Sequence, residues 1–361
     1  MNAIEPQVWC LLGRKAGDNT QVKALAEALG CGYQEKHIRA RPWELLTHLA
    51  LPPGLAGIDR EQSSPLQPPW PDLVISAGRR NEPVARWIQA QSGGSTRLVH
   101  IGRPWAPLES YQLIVTTPQY FLPDSPHIRH NTLPLHNVSS ASLSRAADSW
   151  RRRLGHLPRP WIAVLVGGDS GRFVFTDDKG VALGRMASAL AEKAGGSLLI
   201  SDSPRTPAGV SVALSQQLKV PQLSYRCAEG GDNPYLAFLA LADAFVVTGE
   251  SMSMLGEAAA VSRPLYIFDT GDGAAHWWQL GHNYRYKPIS HHLAMALAPQ
   301  RMRRDVGRMQ AALVNSGAAR WLDEDSELAG DFEPGQFPAA DENLAQRELE
   351  ETAAAVRRLL K

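Results

Sequence analysis

Net charge is almost absent from this chain. Lysine and arginine number 37 against 36 aspartates and glutamates, a formal balance of +1, so bulk electrostatics offers no case for a nucleic-acid binder. Cysteine is scarce as well. Cys10, Cys31 and Cys227 are scattered without metal-ligand spacing, and no disulfide framework is suggested, which fits a reducing compartment. Long apolar runs are missing: none approaches the ~20 residues that span a bilayer. Met1 to Gln7 carries an acid and a proline and does not read as a signal peptide. Neither a dinucleotide fingerprint nor a Walker motif occurs, and there is no short internal repeat. The expectation is a cytoplasmic protein. One stretch, Trp150 to Arg153 (W-R-R-R), reads as a solvated helix face or, more sharply, as a contact peripheral to the inner membrane.

What is present is an alternation of short apolar runs with helical segments, in two similar halves. Hydrophobic residues make up 44% of the chain, enough for a sizeable core, and 361 residues argue for two domains. Val8 to Leu12 reads as a strand, Arg14 to Asn19 as a polar loop, and Thr20 to Leu29 as a helix closed by Gly30. Pro42 to Leu51 reads as a short helix, and Asp72 to Ser76, Leu98 to Ile101 and Leu113 to Thr116 as strands. After a small polar stretch at Ser139 to Ser144, a helix expected at Arg145 to Leu154 and a break at Gly155 to Pro160, the pattern restarts, with strands at Trp161 to Val166, Ser197 to Ile200 and Ala244 to Val247 and helices between them. A long amphipathic helix is expected from Asp341 to Leu360. Strands alternating with helices predict open parallel sheets, which bind ligands at the loops leaving the C-terminal strand ends.

Those loops carry the candidate chemistry. Gly167-Gly168-Asp169-Ser170-Gly171 follows a strand, and its glycines let backbone N–H groups approach an anion, although a plain flexible connection reads the same way. Ser201 to Thr206 follows another strand; its hydroxyls and Arg205 suit a phosphate, and an ordinary polar turn is the alternative. Thr248 to Ser251 forms a third such loop. Ser251 or Ser253 can cap the helix that follows, whose first residues include Met252. Glu257 lies inside that otherwise apolar helix, four residues after Ser253, outside capping-box spacing, so it is a candidate acceptor for two ribose hydroxyls. In the first half, Gly13, Arg14, Gly17 and Asp18 follow the first strand, and Asp18 is either a base or orienting acid or a helix cap. Gly78 and Arg79 form a related loop. His276, Trp277, Trp278 and His282 fit no standard metal spacing and read as an aromatic loop. No metal site is expected.

Taken together, these blocks resemble the mitochondrial-fission "elongated mitochondria" family. The run Trp9 to Gly30 (W-C-L-L-G-R-K-A-G-D-N-T-Q-V-K-A-L-A-E-A-L-G), then V-L-V-G-G-D-S-G-R-F, S-D-S-P-R-T-P, D-N-P-Y and V-V-T-G-E-S-M-S-M-L-G-E-A-A-A follow that pattern in order, from about residue 8 to 290. Bacterial members are regarded as glycosyltransferases. The C-terminal half also looks like the donor domain of GT-B glycosyltransferases, and is similar to that of the bacterial N-acetylglucosaminyltransferase family that builds the peptidoglycan lipid precursor, in which a Gly-Gly-Ser loop and a helix ending in a ribose-binding Glu match Gly167 to Gly171 and Ser251 to Glu257. Asp18 stands where that family presents a catalytic His. Gly249-Glu250 departs from the pattern and leaves Glu250 without a role.

The resemblance implies an α/β fold of two Rossmann-like domains facing a cleft, with the C-terminal helix crossing back to the N-domain. The expected domains are 1–150 on the acceptor side, 151–335 for the nucleotide-sugar, and 336–361 as the final helix. It implies metal-independent transfer of a sugar from a nucleotide-sugar, bound as substrate with no cofactor, to an envelope glycan or lipid-linked acceptor. A non-catalytic adaptor and a nucleotide-sugar epimerase are the alternatives on the same scaffold.

Overall fold

Apolar runs that end in glycine or small polar residues become the buried centres of two parallel sheets in the computed structural model. It describes residues 5–41, 53–136, 138, 140–170, 173–261, 263–271, 296–297, 303–328 and 344–361. The helix expected at Pro42 to Leu51, Gly171, and the His276 to His282 cluster lie outside the described residues.

The first unit comprises Met1–Asn137, Ala298–Asp305 and Ala345–Lys361. Its strands are β1 (Val8–Leu12), β2 (Tyr33–His37), β3 (Leu73–Ala77), β4 (Arg97–Ile101), β5 (Leu113–Thr116) and β6 (Ile128–His130), ordered β2-β1-β3-β4-β5-β6 and all parallel. Every residue of β1 and β3 is buried, as expected of central parallel strands covered on both faces, whereas edge strand β2 is largely exposed. Helix α1 (Ala16–Leu29) buries Val22, Leu25 and Leu29 and stops at Gly30, whose φ of 74° is the left-handed value that ends helices. Helix α2 (Glu82–Gln91) follows β3.

The second unit comprises Val138–Leu297 and Val306–Leu344. It contains α3 (Ser140–Leu154), β7 (Trp161–Leu165), α4 (Asp177–Lys193), β8 (Ser197–Ser201), α5 (Ala208–Ser215), β9 (Gln222–Tyr225), α6 (Tyr235–Leu241), β10 (Ala244–Thr248), α7 (Met252–Ala259), β11 (Leu265–Phe268), α8 (Gly307–Asn315) and β12 (Arg320–Trp321). The sheet order is β12-β11-β10-β7-β8-β9, again all parallel. This places β10, β7 and β8 side by side, with all five residues of each buried.

The unit boundary falls at residues 137/138 and not at 150/151. Helix α3 begins at Ser140, earlier than its apolar pattern suggests, and buries Ala147, Trp150 and Leu154 within the second unit. Trp150 meets Phe238 of α6 edge to face at 6.3 Å. Of the W-R-R-R stretch, Trp150 is therefore core. Arg153 stacks on the Trp150 ring at 3.6 Å and pairs with Asp232 at 2.6 Å, which leaves Arg151 and Arg152 exposed.

The final helix, α9 (Leu344–Leu359), is part of the first unit and not a separate module. Its apolar stripe places Ala353 and Val356 in the core with Val8, Cys10 and Leu25. Its polar residues finish backbone groups that the sheet leaves open. Glu348 accepts the N–H groups of Thr132 (2.7 Å) and Leu133 (3.2 Å), and Arg357 donates to the Ala28 (2.7 Å) and Leu29 (3.3 Å) carbonyls at the C-terminal end of α1.

Candidate functional site

In the second unit, adjacency of β10, β7 and β8 brings the three strand-end loops together. Side chains then bond them into one structure. The hydroxyl of Thr248 accepts the Gly167 N–H at 2.8 Å, and Glu250 Oε1 accepts the Gly168 N–H at 2.6 Å and the Thr248 hydroxyl at 3.2 Å. From the other side, Ser203 (2.9 Å) and Thr206 donate to the Gly167 carbonyl. Arg205 spans all three loops, donating to the carbonyls of Gly168 and Asp169 at 3.1 Å each and to Ser251 Oγ at 3.4 Å.

Two expectations change here. The N–H groups of Gly167 and Gly168 are engaged by Thr248 and Glu250, so these glycines do not present free amides to an anion. What they supply is close packing: a Cβ on Gly167 would stand 2.0 Å from Glu250 Oε1, and one on Gly168 would stand 2.2 Å from the Arg205 carbonyl oxygen. Neither serine caps the helix. Ser251 occupies the N-cap position of α7 without a capping bond, and its hydroxyl accepts from Arg205 instead, while Ser253 is already the second residue of the helix. Among the described residues, no side chain caps the first turn of α7.

Glu250 is the residue that sequence reasoning left without a role. It is 2% exposed, and its Oε2 has no hydrogen-bond partner among the described residues. Burial pushes its pKa up, against the opposing pull of the Arg205 charge. The signal that could have found it was position: an acid two residues past a strand of five buried residues, in the loop at the strand end.

The remaining predicted residues of this half fall around the same edge. Ser201 is the buried last residue of β8, and its carbonyl accepts the Val166 N–H at 2.8 Å. Ser170 exchanges backbone bonds with Phe173 at 2.9 and 3.0 Å. Met252 is buried. Glu257 is partly buried, one turn into α7, and Oε2 accepts the hydroxyl of Tyr235 on α6. Burial pushes the Glu257 carboxyl up to about 7, with the Tyr235 bond opposing. It is not a solvated surface acid.

In the first unit, the adjacent ends of β1 and β3 join the other predicted residues. The polar run expected as a loop is mostly helix, since α1 begins at Ala16. The reason is Asn19, whose amide clamps Gly13 at both ends, accepting its N–H at 2.9 Å and donating to its carbonyl at 2.8 Å, so the turn closes quickly. Asp18 therefore lies in the first turn of α1 and not at the cap, which is Lys15. A Cβ at Gly78, where φ is 71°, would stand 2.7 Å from Asp18 Oδ2, so the Asp18 carboxylate rests directly on that loop. Gly17 is within α1, and its carbonyl accepts from Gln21 at 3.2 Å. Arg14 is exposed, and Arg79 lies over the Trp105 ring at 4.6 Å.

The raised Glu257 carboxyl has a consequence for stability. Between 4.5 and about 7 the folded state keeps a proton that the unfolded chain has released, so this group's contribution is full below 4.5 and is lost as pH rises through about 7. The slope is at most about 1.4 kcal/mol per pH unit. Urea unfolding across this window should show stability falling with pH, and Glu257→Gln should flatten the fall. An unchanged slope would mean that Glu257 titrates normally.

Two Rossmann-like α/β units in one chain, with the last helix returned to the first, define the GT-B-like class of fold. The chain belongs to the mitochondrial fission ELM1 family, whose model matches residues 16–287. It is 28% identical over 220 residues to the mitochondrial fission protein ELM1 of Arabidopsis thaliana, covering 55% of this chain and 51% of that protein. It is 26% identical over 231 residues to an uncharacterized protein of Rickettsia prowazekii (strain Madrid E), covering 55% of this chain and 64% of that one. The match thus spans between half and two-thirds of these relatives' length. Among solved structures, the UDP-GlcNAc 2-epimerase of Methanocaldococcus jannaschii, in complex with UDP-GlcNAc and UDP, superposes with a TM-score of 0.51 at 12% identity, covering 96% of this chain and 99% of that one. That likeness concerns the fold alone.

Proposed function

We propose that the second unit binds a nucleotide-sugar and that the protein transfers the sugar to an envelope glycan or lipid-linked acceptor. The observation that carries this reading is the bonded strand-end edge of the second unit, beside the uncapped start of α7 and the partly buried Glu257. Ser251, Ser253 and Glu257 are assigned to the nucleoside. Glu257 Oε2 is held by Tyr235, and the carboxylate has Oε1 left to accept a ribose hydroxyl. The diphosphate is assigned to the first-turn N–H groups of α7, with Gly167, Gly168 and Ser170 providing close approach and Arg205 a nearby positive charge. In the first unit, Asp18 is assigned to the acceptor.

The chemistry is a displacement at the anomeric carbon. The acceptor oxygen forms the new C–O bond as the bond to the diphosphate breaks. Asp18 takes the acceptor's proton or orients its hydroxyl, and the departing charge is stabilised by fixed N–H dipoles, without a metal. The exposed Arg151 and Arg152 are assigned to peripheral membrane contact.

A thermal-shift screen of nucleotide-sugars and free nucleotides tests the reading. A ligand at 100 times its Kd should add about 2.7 kcal/mol; no shift with any nucleotide would overturn it. Glu257→Ala should abolish the shift while the protein stays folded, and a retained shift would remove Glu257 from the site. Asp18→Asn should keep donor binding and lower turnover by about 100-fold or more, the usual scale for a general base. Full activity in that variant would dismiss Asp18.

A further inference from the structure

The first unit carries a second group of residues that the transfer reading does not use, at the same C-terminal edge of its sheet. Arg79 and Arg103 each stand just past a strand end, after β3 and β4. Each guanidinium is set on an aromatic ring of the neighbouring loops: Arg79 on Trp105 at 4.6 Å, and Arg103 on Tyr120 at 5.5 Å. Tyr120 in turn forms an antiparallel bridge with Arg304, on the segment that returns to this unit late in the chain. That segment is fastened by the Asp305 N–H donating to the Gln119 carbonyl at 2.8 Å and by Arg304 Nε donating to Gln119 Oε1 at 2.8 Å.

Three cations are therefore gathered by elements distant in sequence, and two of them are backed by rings that restrict their movement. Assembling like charges works against folding. Burial pulls the Arg103 pKa down, and the Arg304 and Arg79 charges add to that pull. Glu82, an acid that acts on Arg103, is buried; burial pushes it up to about 7 while it accepts the N–H groups of Trp105 and Ala106. Guanidinium groups arranged around one place are what planar recognition of phosphate requires.

We propose that the C-terminal strand edge of the first unit is a binding site for a phosphate- or diphosphate-bearing molecule, held by Arg79, Arg103 and Arg304. The site stands on the geometry of the first unit, whether or not the second unit binds nucleotide-sugars; where both hold, the phosphate belongs to the acceptor. The acceptor is then an anionic phosphorylated molecule and not a neutral sugar.

The test uses the full chain and two probes: inorganic pyrophosphate by calorimetry, and phosphatidylcholine vesicles with and without phosphatidic acid by co-sedimentation. Arg103→Gln should weaken anion binding by about tenfold or more, the scale of one lost charge-assisted hydrogen bond, while the thermal shift with nucleotide is unchanged. Arg79→Gln, which leaves the Tyr120 contact in place, should do the same and covers the case in which Arg103→Gln fails to fold. Binding to vesicles that pyrophosphate competes away identifies a lipid headgroup, and binding of pyrophosphate alone identifies a soluble phosphate; both support the site. Anion binding that survives both variants and is lost only in Arg205→Gln would overturn it, as would binding of neither probe by the wild type. A nucleotide result of either sign leaves this outcome separately readable.

Discussion

Glu250→Ala should destabilise the second unit by about 3 kcal/mol, which corresponds to a fall in Tm of roughly 6–12 °C for a unit of this size. Three losses combine. The Gly168 N–H, buried at the strand end, loses its acceptor at 2.6 Å. Arg205 loses the carboxyl whose proximity it feels, at a place where its own donors are committed to Gly168, Asp169 and Ser251. A small void opens beneath Gly167, whose α-carbon packs on Glu250. Glu250→Gln keeps an oxygen for the Gly168 N–H and fills the same volume. Because burial already favours the neutral form of this carboxyl, the glutamine variant should lose less than half as much. Denaturant unfolding of both variants decides it. Equal losses would mean that the negative charge, not the hydrogen bond and the packing, holds the edge together.

Gly168→Ala should cost about 2–3 kcal/mol by overpacking, more than Gly167→Ala. At Gly168 the added Cβ would lie 2.2 Å from the Arg205 oxygen, 2.3 Å from its carbonyl carbon and 2.6 Å from the Thr206 nitrogen. These are backbone atoms of a turn already fixed by Ser203 and Thr206, so relief requires moving the turn. At Gly167 the first obstacle is the end of a side chain, Glu250 Oε1 at 2.0 Å, which can rotate if it gives up the Gly168 N–H. The two sites should therefore couple differently to Glu250. Gly167→Ala combined with Glu250→Ala should lose clearly less than the sum of the single losses, since removing the carboxylate makes room for the Cβ. Gly168→Ala combined with Glu250→Ala should keep its backbone clash, since removing the carboxylate does not move the Arg205 and Thr206 atoms that the Cβ meets. The reverse pattern would show that the loops do not pack as described.

Much of the fold was legible in the chain because parallel strands buried on both faces write themselves as continuous apolar runs. Val8–Leu12, Trp161–Leu165 and Ala244–Thr248 are buried throughout, and each was visible from composition and from the turn that ends it. The edge strands β6 and β12 were less legible. β6 and β12 are short, only three and two residues, and carry no sustained pattern. Helix starts were misjudged where polar residues are structural. The run before Thr20 looked like a loop because Asn19 spends its amide on Gly13 and not on the start of the helix. Helix α3 looked shorter than it is because its first turns bury little.

At the candidate site, the sequence by itself determined which residues stand at the strand ends, since a strand's register and its terminating turn are local properties. Gly167, Ser201, Arg205 and Ser251 were placed that way, and Glu257 was placed in the helix that follows the last of these ends. Only the tertiary structure decided what those residues are free to do. Sheet order put β10 next to β7 and β8, which gave Glu250 its bond to Gly168, engaged two amides that the sequence offered to a ligand, and turned Arg205 inward to three loops. Sheet order and chain return likewise brought Arg304 to Tyr120 across some 180 residues, and put α9 into the core of the unit where the chain begins. The physical reason is common to all of these. A hydrogen bond or a like-charge contact depends on distance in space, and in a parallel sheet the neighbours at one edge come from segments that no sequence window joins.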